Sequence, residues 1–236
     1  MFQRWLPRTS TGGSQFFPPV SSSRRGLVLV GGELSTEWLL DAYTHGIFPW
    51  PVQEGVENLG WFCPERRGIL ELDALHVSRR LARTCRSGKF EVTCDWDFAG
   101  VIRSCATVGD RPLNNWITTG IIEAYERLHR EGYAHSVEVW HGGELAGGVY
   151  GVALGGLFAG ESMFYRVRDA SKVALFHLVE HLRARGYSLF DTQTVTPHTL
   201  SLGAREISRH EYLRRLNSAL AQEVSFGERL ESTATS

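Results

Sequence analysis

The sequence predicts an α+β protein, with a smaller α/β unit followed by a larger α/β unit that carries most of the regular structure. Three observations predict it. Short strand-like and helical runs alternate from Gly26 onward. From Ile117 the order settles into helix, three strands, helix, strand and final helix. Between the two parts lies the turn-rich loop Gly109–Asn115, GDRPLNN. A chain of 236 residues, 42% hydrophobic and 22% charged, can bury a sizeable core.

Residues 1–25 are rich in Ser, Pro and Gly, and no acid precedes Glu33. They read as a loose arm, or as an organellar leader, because arginine without acid has that composition. Gly26 to Val30 reads as a strand. Ser35 caps a helix through Tyr43 that stops near Gly46. Gly46-Ile-Phe-Pro-Trp-Pro51 reads as a stiff turn, since two prolines forbid helix. Strands follow around Trp61 and at Gly68–Leu72, then a basic helix, then a strand at Phe90–Thr93. Asp95 is a cap for a helix ending near Ala106.

Past the boundary, Ile117–Glu131 is helical and His135–Trp140 alternates as a half-buried strand. Glu144–Ala153 and Gly155–Gly160 form a glycine-rich hairpin. Ser171–Arg185 is amphipathic, with Leu175, Leu178, Val179 and Leu182 on one face. Tyr187–Gln193 is a strand, and Ser208-Arg-His-Glu211 is a capping box opening a helix to about Leu220. The division is thus an arm (1–25), an N-terminal unit (26–108), a catalytic unit (109–224) and a disordered tail (225–236). The order in the larger unit resembles the N-acetyltransferase (GNAT-like) core. That fold places a glycine-rich loop where coenzyme A pyrophosphate meets a helix start, whereas Phe164–Ser171 (FYRVRDAS) contains no glycine.

A net charge of −1 argues against a protein that coats nucleic acid. The distribution is less even. Between Arg66 and Lys89 stand Arg66, Arg67, Arg79, Arg80, Arg83, Arg86 and Lys89 against only Glu71 and Asp73. Arg79, Arg80, Arg83 and Arg86 fall at helical spacing. Such a helix is either a solvated face or a phosphate-binding one. No run approaches the roughly 20 apolar residues of a membrane span. The four cysteines (Cys63, Cys85, Cys94, Cys105) lack metal-ligand spacing and suit a reducing, cytoplasmic setting. No metal, cofactor or membrane partner is expected.

Four islands stand out: Gly46–Trp50 (GIFPW), Asn115–Thr118 (NWIT) with Tyr125, Leu157–Phe164 (LFAGESMF) and Phe190–Gly203 (FDTQTVTPHTLSLG). Together they resemble the leucyl/phenylalanyl-tRNA–protein transferase family, over about Gly31 to Leu216. The resemblance implies transfer of leucine or phenylalanine, with methionine as a further donor, from aminoacyl-tRNA to proteins. The implied acceptors begin with Arg or Lys, and the product is marked for N-end-rule degradation.

Several residues acquire roles this way. Asp191 and Gln193 share one side of a strand and are either a structural pair or, as the resemblance implies, catalytic. In the catalytic reading Asp191 polarises Gln193, whose carbonyl accepts from the attacking amine; the tRNA's own terminal hydroxyl is the competing activator. Glu161 is a turn carboxylate or the site for the acceptor's cationic N-terminal residue. The resemblance gives Trp50 and Trp116, with Tyr125 nearby, to the tRNA's terminal adenosine, which the two tryptophans would embrace; core packing is the other reading of each. It gives Val149, Phe158, Met163, Leu178 and Phe190 to the aminoacyl pocket, with valine at 149 where relatives carry methionine. Arg79, Arg80, Arg83, Arg86 and Lys89 would take the RNA backbone. Two other classes stay open: a coenzyme A-dependent N-acetyltransferase and a non-catalytic tRNA- or peptide-binding module. Gly160-Glu-Ser162 lacks the G-x-S-x-G elbow of a serine hydrolase.

Overall fold

The computed structural model describes residues 13–52, 59–109 and 116–231. Residues 1–12 of the arm, 53–58, 110–115 (all of the GDRPLNN loop but Gly109, and the Asn115 of NWIT) and 232–236 lie outside them. Two sheets organise the chain. The smaller is antiparallel and holds β1 (Leu27–Val30), β2 (Phe48–Pro51) and β3 (Leu59–Phe62) in the order β1-β3-β2. β2 occupies the segment expected to be a turn. Its two prolines are tolerated because β2 pairs only with β3 and needs no donors on its open side.

The larger sheet holds β4 (Arg66–Leu70), β5 (Glu91–Cys94), β6 (Ala134–His141), β7 (Glu144–Leu154), β8 (Leu157–Tyr165), β9 (Leu189–Gln193) and β10 (Arg205–Ser208). Their order is β10-β4-β9-β8-β7-β6-β5. Every neighbouring pair is antiparallel except β8 and β9, which are parallel and joined through α5 (Ala170–Ala184). Three antiparallel strands, a crossover helix, a parallel strand and a final helix are the elements expected of the GNAT-like unit. The junction expected at 109 needs correction. β4 and β5 precede it yet belong to the large sheet, so the small sheet alone stands apart.

Every described α-helix except α5 starts where a short polar side chain satisfies a free N–H group; the α5 cap residue, Asp169, makes no such bond. Ser35 caps α1 (Thr36–Thr44), Ser78 caps α2 (Arg79–Arg86) and Thr118 caps α4 (Thr119–Arg130). Asp97, rather than Asp95, caps α3 (Phe98–Thr107). Asp95 instead sits at a positive φ of 58° and binds the His135 ring and the Ser136 N–H. Besides β2, two further elements were not expected. One is α6 (Pro197–Ser201), opened by a capping box at Thr196 with Pro197 in its first turn; the other is β10. Ser208 caps α7 (Arg209–Leu220).

α1, α3 and α4 cover one face of the large sheet, burying Tyr43, Val101, Ile121 and Tyr125 against Tyr150 and Val152. α5 covers the other, burying Leu175, Leu178 and Leu182 against Val137, Val149 and Phe158. α7 packs Tyr212 and Leu216 on Ile69 and Leu189. The described part of the arm is anchored rather than loose. Phe16 stacks on Trp38 at 4.7 Å, Phe17 meets Trp38 and Trp61 edge-on, and Asp41 accepts from the N–H groups of Gln15 and Phe16. The tail is anchored too, since Phe226 is buried.

Candidate active site

Residue 191 lies in the last parallel pair before β8 and β9 part, Ala159 opposite Asp191. Strand alternation sends Phe190 toward α5 and Asp191 toward α7, as the i, i+2 reading expects. Asp191 is fully buried and fully partnered. Arg67 donates through Nε to Oδ1 (2.9 Å) and through Nη2 to Oδ2 (2.6 Å). Tyr212 donates to Oδ2 (2.7 Å), and the Gln193 backbone N–H donates to Oδ1 (2.8 Å).

Arg67 is itself completely enclosed between the rings of Phe48 (4.6 Å) and Tyr212 (4.4 Å), and donates to the Gly46 carbonyl at 3.0 Å. Burial alone would lower its pKa. The Asp191 charge outweighs that and holds the guanidinium well above its ordinary range.

The expected relay therefore needs correction. Asp191 contacts the backbone of Gln193, not its amide side chain, and holds that residue in a left-handed conformation at φ 61°. The side chain turns to Glu161 instead, with Nε2 donating to Oε1 at 2.9 Å. Glu161 lies inside β8, past the expected strand end at Gly160. It is the extra residue of a β-bulge, because Gly151 pairs with Gly160 while Tyr150 pairs with Ser162.

Two further donors converge on Glu161: Tyr43 from α1 at 2.7 Å and Tyr125 from α4 at 3.3 Å. Those two hydroxyls also share a very short hydrogen bond. Burial first, and then the Glu161 charge, push both phenols far above their ordinary pKa, so they remain O–H donors. Burial raises Glu161 to about 7, although its three donors pull the other way.

Tyr125 thus belongs to the floor of the site. Its ring is fully buried and edge-on to Tyr150, leaving no face for a base. Trp50 and Trp116 do come together. They stack on each other with centroids 4.9 Å apart, so the slot expected between them is closed; Trp50 keeps 39% of its surface exposed. Val149, Phe158, Leu178 and Phe190 are buried in one apolar cluster with Met163 packed against it. Val149 pairs with Met163, and Phe158 with Phe190, across adjacent strands.

The basic stretch divides. Arg67 is buried on Asp191, Arg66 pairs with Glu206 and Arg80 with Asp169. Arg79, Arg83, Arg86 and Lys89 are exposed, and Arg79, Arg83 and Arg86 line a shallow open groove with Val77, Ala82 and Ser87. The α5 start, where a coenzyme A pyrophosphate would lie, presents the Asp169 carboxylate.

Sequence reading missed Arg67 in its pairing role, together with Tyr43 and Tyr212. One signal existed for Arg67: it shares strand parity with Ile69, which faces α7.

The profile of the leucyl/phenylalanyl-tRNA protein transferase family matches residues 69–217, and that of the same enzymes' N-terminal domain matches residues 32–65. The chain belongs to this family. Leucyl/phenylalanyl-tRNA–protein transferases among its relatives include that of Chromohalobacter salexigens, 48% identical over 94% of this chain and 85% of the relative. That of Syntrophobacter fumaroxidans is 51% identical over 91% of this chain and 92% of the relative. The transferase is an enzyme of the aminoacyltransferase class, and the family moves an aminoacyl group from tRNA to protein.

Solved structures that align with the transferase are remote. L-PGS from Bacillus licheniformis matches with a TM-score of 0.37 and 13% identity over 69% of this chain and 51% of that one. A GCN5-related N-acetyltransferase from Kribbella flavida gives 0.35 and 11% over 71% and 59%. No helix among the described residues is long and apolar enough to cross a membrane. The described residues contain no group of three or more His, Cys, Asp or Glu able to hold a metal ion.

Proposed function

We propose that the transferase joins leucine or phenylalanine, with methionine as a further donor, to the N-terminal Arg or Lys of acceptor proteins. It works in the cytoplasm without a cofactor, and its products enter N-end-rule degradation. The observation that supports this reading is the Glu161–Gln193 contact, made just past the point where β8 and β9 stop pairing and where Phe158 pairs with Phe190 of the apolar cluster. Gln193 spends its amide N–H on Glu161, which turns its carbonyl oxygen away as a free acceptor.

The aminoacyl ester is already activated, so the reaction needs a neutral amine held against the carbonyl. An α-ammonium has a pKa near about 7.7–8.0, so freeing it asks little. The Gln193 carbonyl accepts a hydrogen bond from that amine and aims its lone pair at the ester carbon. A C–N bond forms, the C–O bond to the ribose breaks, and the departing oxygen leaves protonated as the tRNA hydroxyl. Glu161 draws the cationic N-terminal residue of the acceptor to this point.

Phe158, Phe190, Leu178, Met163 and Val149 take the apolar side chain. Trp50 and Trp116 stack on the terminal adenosine after their rings part, and the exposed α2 arginines with Lys89 hold the RNA backbone.

Purified protein given radiolabelled Leu-tRNA tests the reading with two peptides, one beginning with Arg and one with Ala. Label is expected on the Arg peptide alone, and Glu161→Gln is expected to raise the KM for it. Transfer to neither peptide, from Leu- or Phe-tRNA, would overturn the proposal.

A further inference from the structure

β8 and β9 pair only from Leu157–Leu189 to Ala159–Asp191, yet β8 runs on to Tyr165 and β9 to Gln193. The parallel strands therefore part just where Glu161 and Gln193 face each other. Both segments that leave them reach the same place. After β8 the chain turns at Asp169, whose carboxylate sits 3.0 Å from Arg80 in the first turn of α2. After β9, α6 leads to Leu202, whose carbonyl accepts from the His76 N–H at 3.0 Å, two residues before the α2 cap. The opening between the strands is thus bounded by the catalytic pair at one end and by α2 at the other.

Along the β8 bank, Gly160 to Met163 are all half-buried and Tyr165 is 59% exposed. From Glu161 to Tyr165 the strand spans about 13 Å. Arg166 is occupied with the Leu145 carbonyl, the Ser104 hydroxyl and the Phe164 ring. Arg168 is not comparably engaged. Its side chain is 78% exposed, and its single ion pair among the described residues is a 4.0 Å approach to Asp169, which Arg80 already holds. An exposed aromatic ring, followed three residues later by a loosely engaged guanidinium, supplies the two contacts single-stranded RNA uses, stacking for a base and charge for a phosphate.

We propose that the single-stranded acceptor end of the donor RNA runs along this opening toward α2, with Tyr165 stacked on a nucleobase upstream of the terminal adenosine and Arg168 on a phosphate. The proposal rests on the aminoacyl-tRNA reading given above, and adds two contacts that act on the RNA and not on the ester.

Two donors separate these effects: Phe-tRNA, and phenylalanyl-adenosine, which has no upstream nucleotides. Tyr165→Ala is expected to raise the KM for Phe-tRNA about 5- to 150-fold, the worth of one stacked base, and to leave kinetics with phenylalanyl-adenosine unchanged. Arg168→Glu is expected to do the same and to flatten the salt dependence of RNA binding by about 0.7 in log–log slope, one phosphate's share. Tyr165→Phe and Arg168→Lys should restore wild-type behaviour. An unchanged KM for Phe-tRNA, or an equal loss with both donors, overturns the proposal. Wild-type protein that transfers from neither donor would instead overturn the aminoacyl-tRNA reading beneath it.

Discussion

Glu161 shows how one side chain is tuned by its neighbours. Tyr43, Tyr125 and Gln193 all donate to it, and Asp191, its charge met by Arg67, lies one strand away. Burial still dominates and carries the carboxyl from an ordinary value near 4.5 to about 7. Between those values the folded protein keeps a proton that the unfolded chain has released. Stability contributed through this group therefore falls as pH rises from about 4.5 to 7 and levels off above. Thermal melts of wild type and Glu161→Gln across pH 4.5–8 should show it, with the wild-type melting temperature dropping relative to the variant through that window. A constant offset at every pH would refute this account. The residue itself was legible as a candidate because GESMF is a distinctive string. Its partners were not, because Tyr43 and Tyr125 lie 118 and 36 residues away in sequence and only α1 and α4 bring them in.

Arg67 works between elements. One guanidinium fastens β4 to Asp191 on β9, to Tyr212 on α7 and to Gly46, four residues before Trp50. Gly46 sits at φ 73°, with Tyr212 and Leu213 so near that a Cβ would strike them. The segment leading to Trp50 is therefore held from both sides. Removing one partner of a buried ion pair leaves the other uncompensated, so Arg67→Met is expected to cost about 3–5 kcal/mol. Replacing both, in Arg67→Met with Asp191→Leu, should cost less than the two single changes added together. Denaturant midpoints of the three variants measure this, and simple additivity would refute the coupling. Elements marked by local chemistry were readable: Ser35 and Ser208 announce α1 and α7 through caps. β10 was not, since Arg205–Ser208 is a strand only because β4 lies beside it. Asp95 misled for a related reason. It has a cap's chemistry, but its carboxylate is claimed by β6.

Across the whole molecule the two faces of the large sheet have separate tasks. The α1–α4 face supplies the hydroxyls under Glu161, and the α5 face supplies the apolar cluster. Residues 224–230 close that second face, with Val224 and Leu230 packed against it. Phe226 stacks on His135 at 4.3 Å and on Phe158 at 5.9 Å and meets His181 edge-on. His181 clasps the segment with both ring nitrogens, one to the Phe226 carbonyl and one to the Glu231 N–H. Nothing local in Val224-Ser-Phe-Gly-Glu-Arg-Leu230 marks it as ordered, because its single aromatic is anchored by rings, and by a partner for its carbonyl, far away in sequence.

Phe158 is a wall of the proposed side-chain pocket, and Phe226 is the buttress behind that wall. A protease nick after Val224, or a fusion partner spliced in at this point, would therefore alter which amino acid the enzyme accepts. Phe226→Ala should lower stability by about 3–5 kcal/mol. In competition between Leu- and Phe-tRNA it should also shift transfer toward the bulkier phenylalanine. An unaltered ratio would mean that the buttress bears weight but sets no gauge.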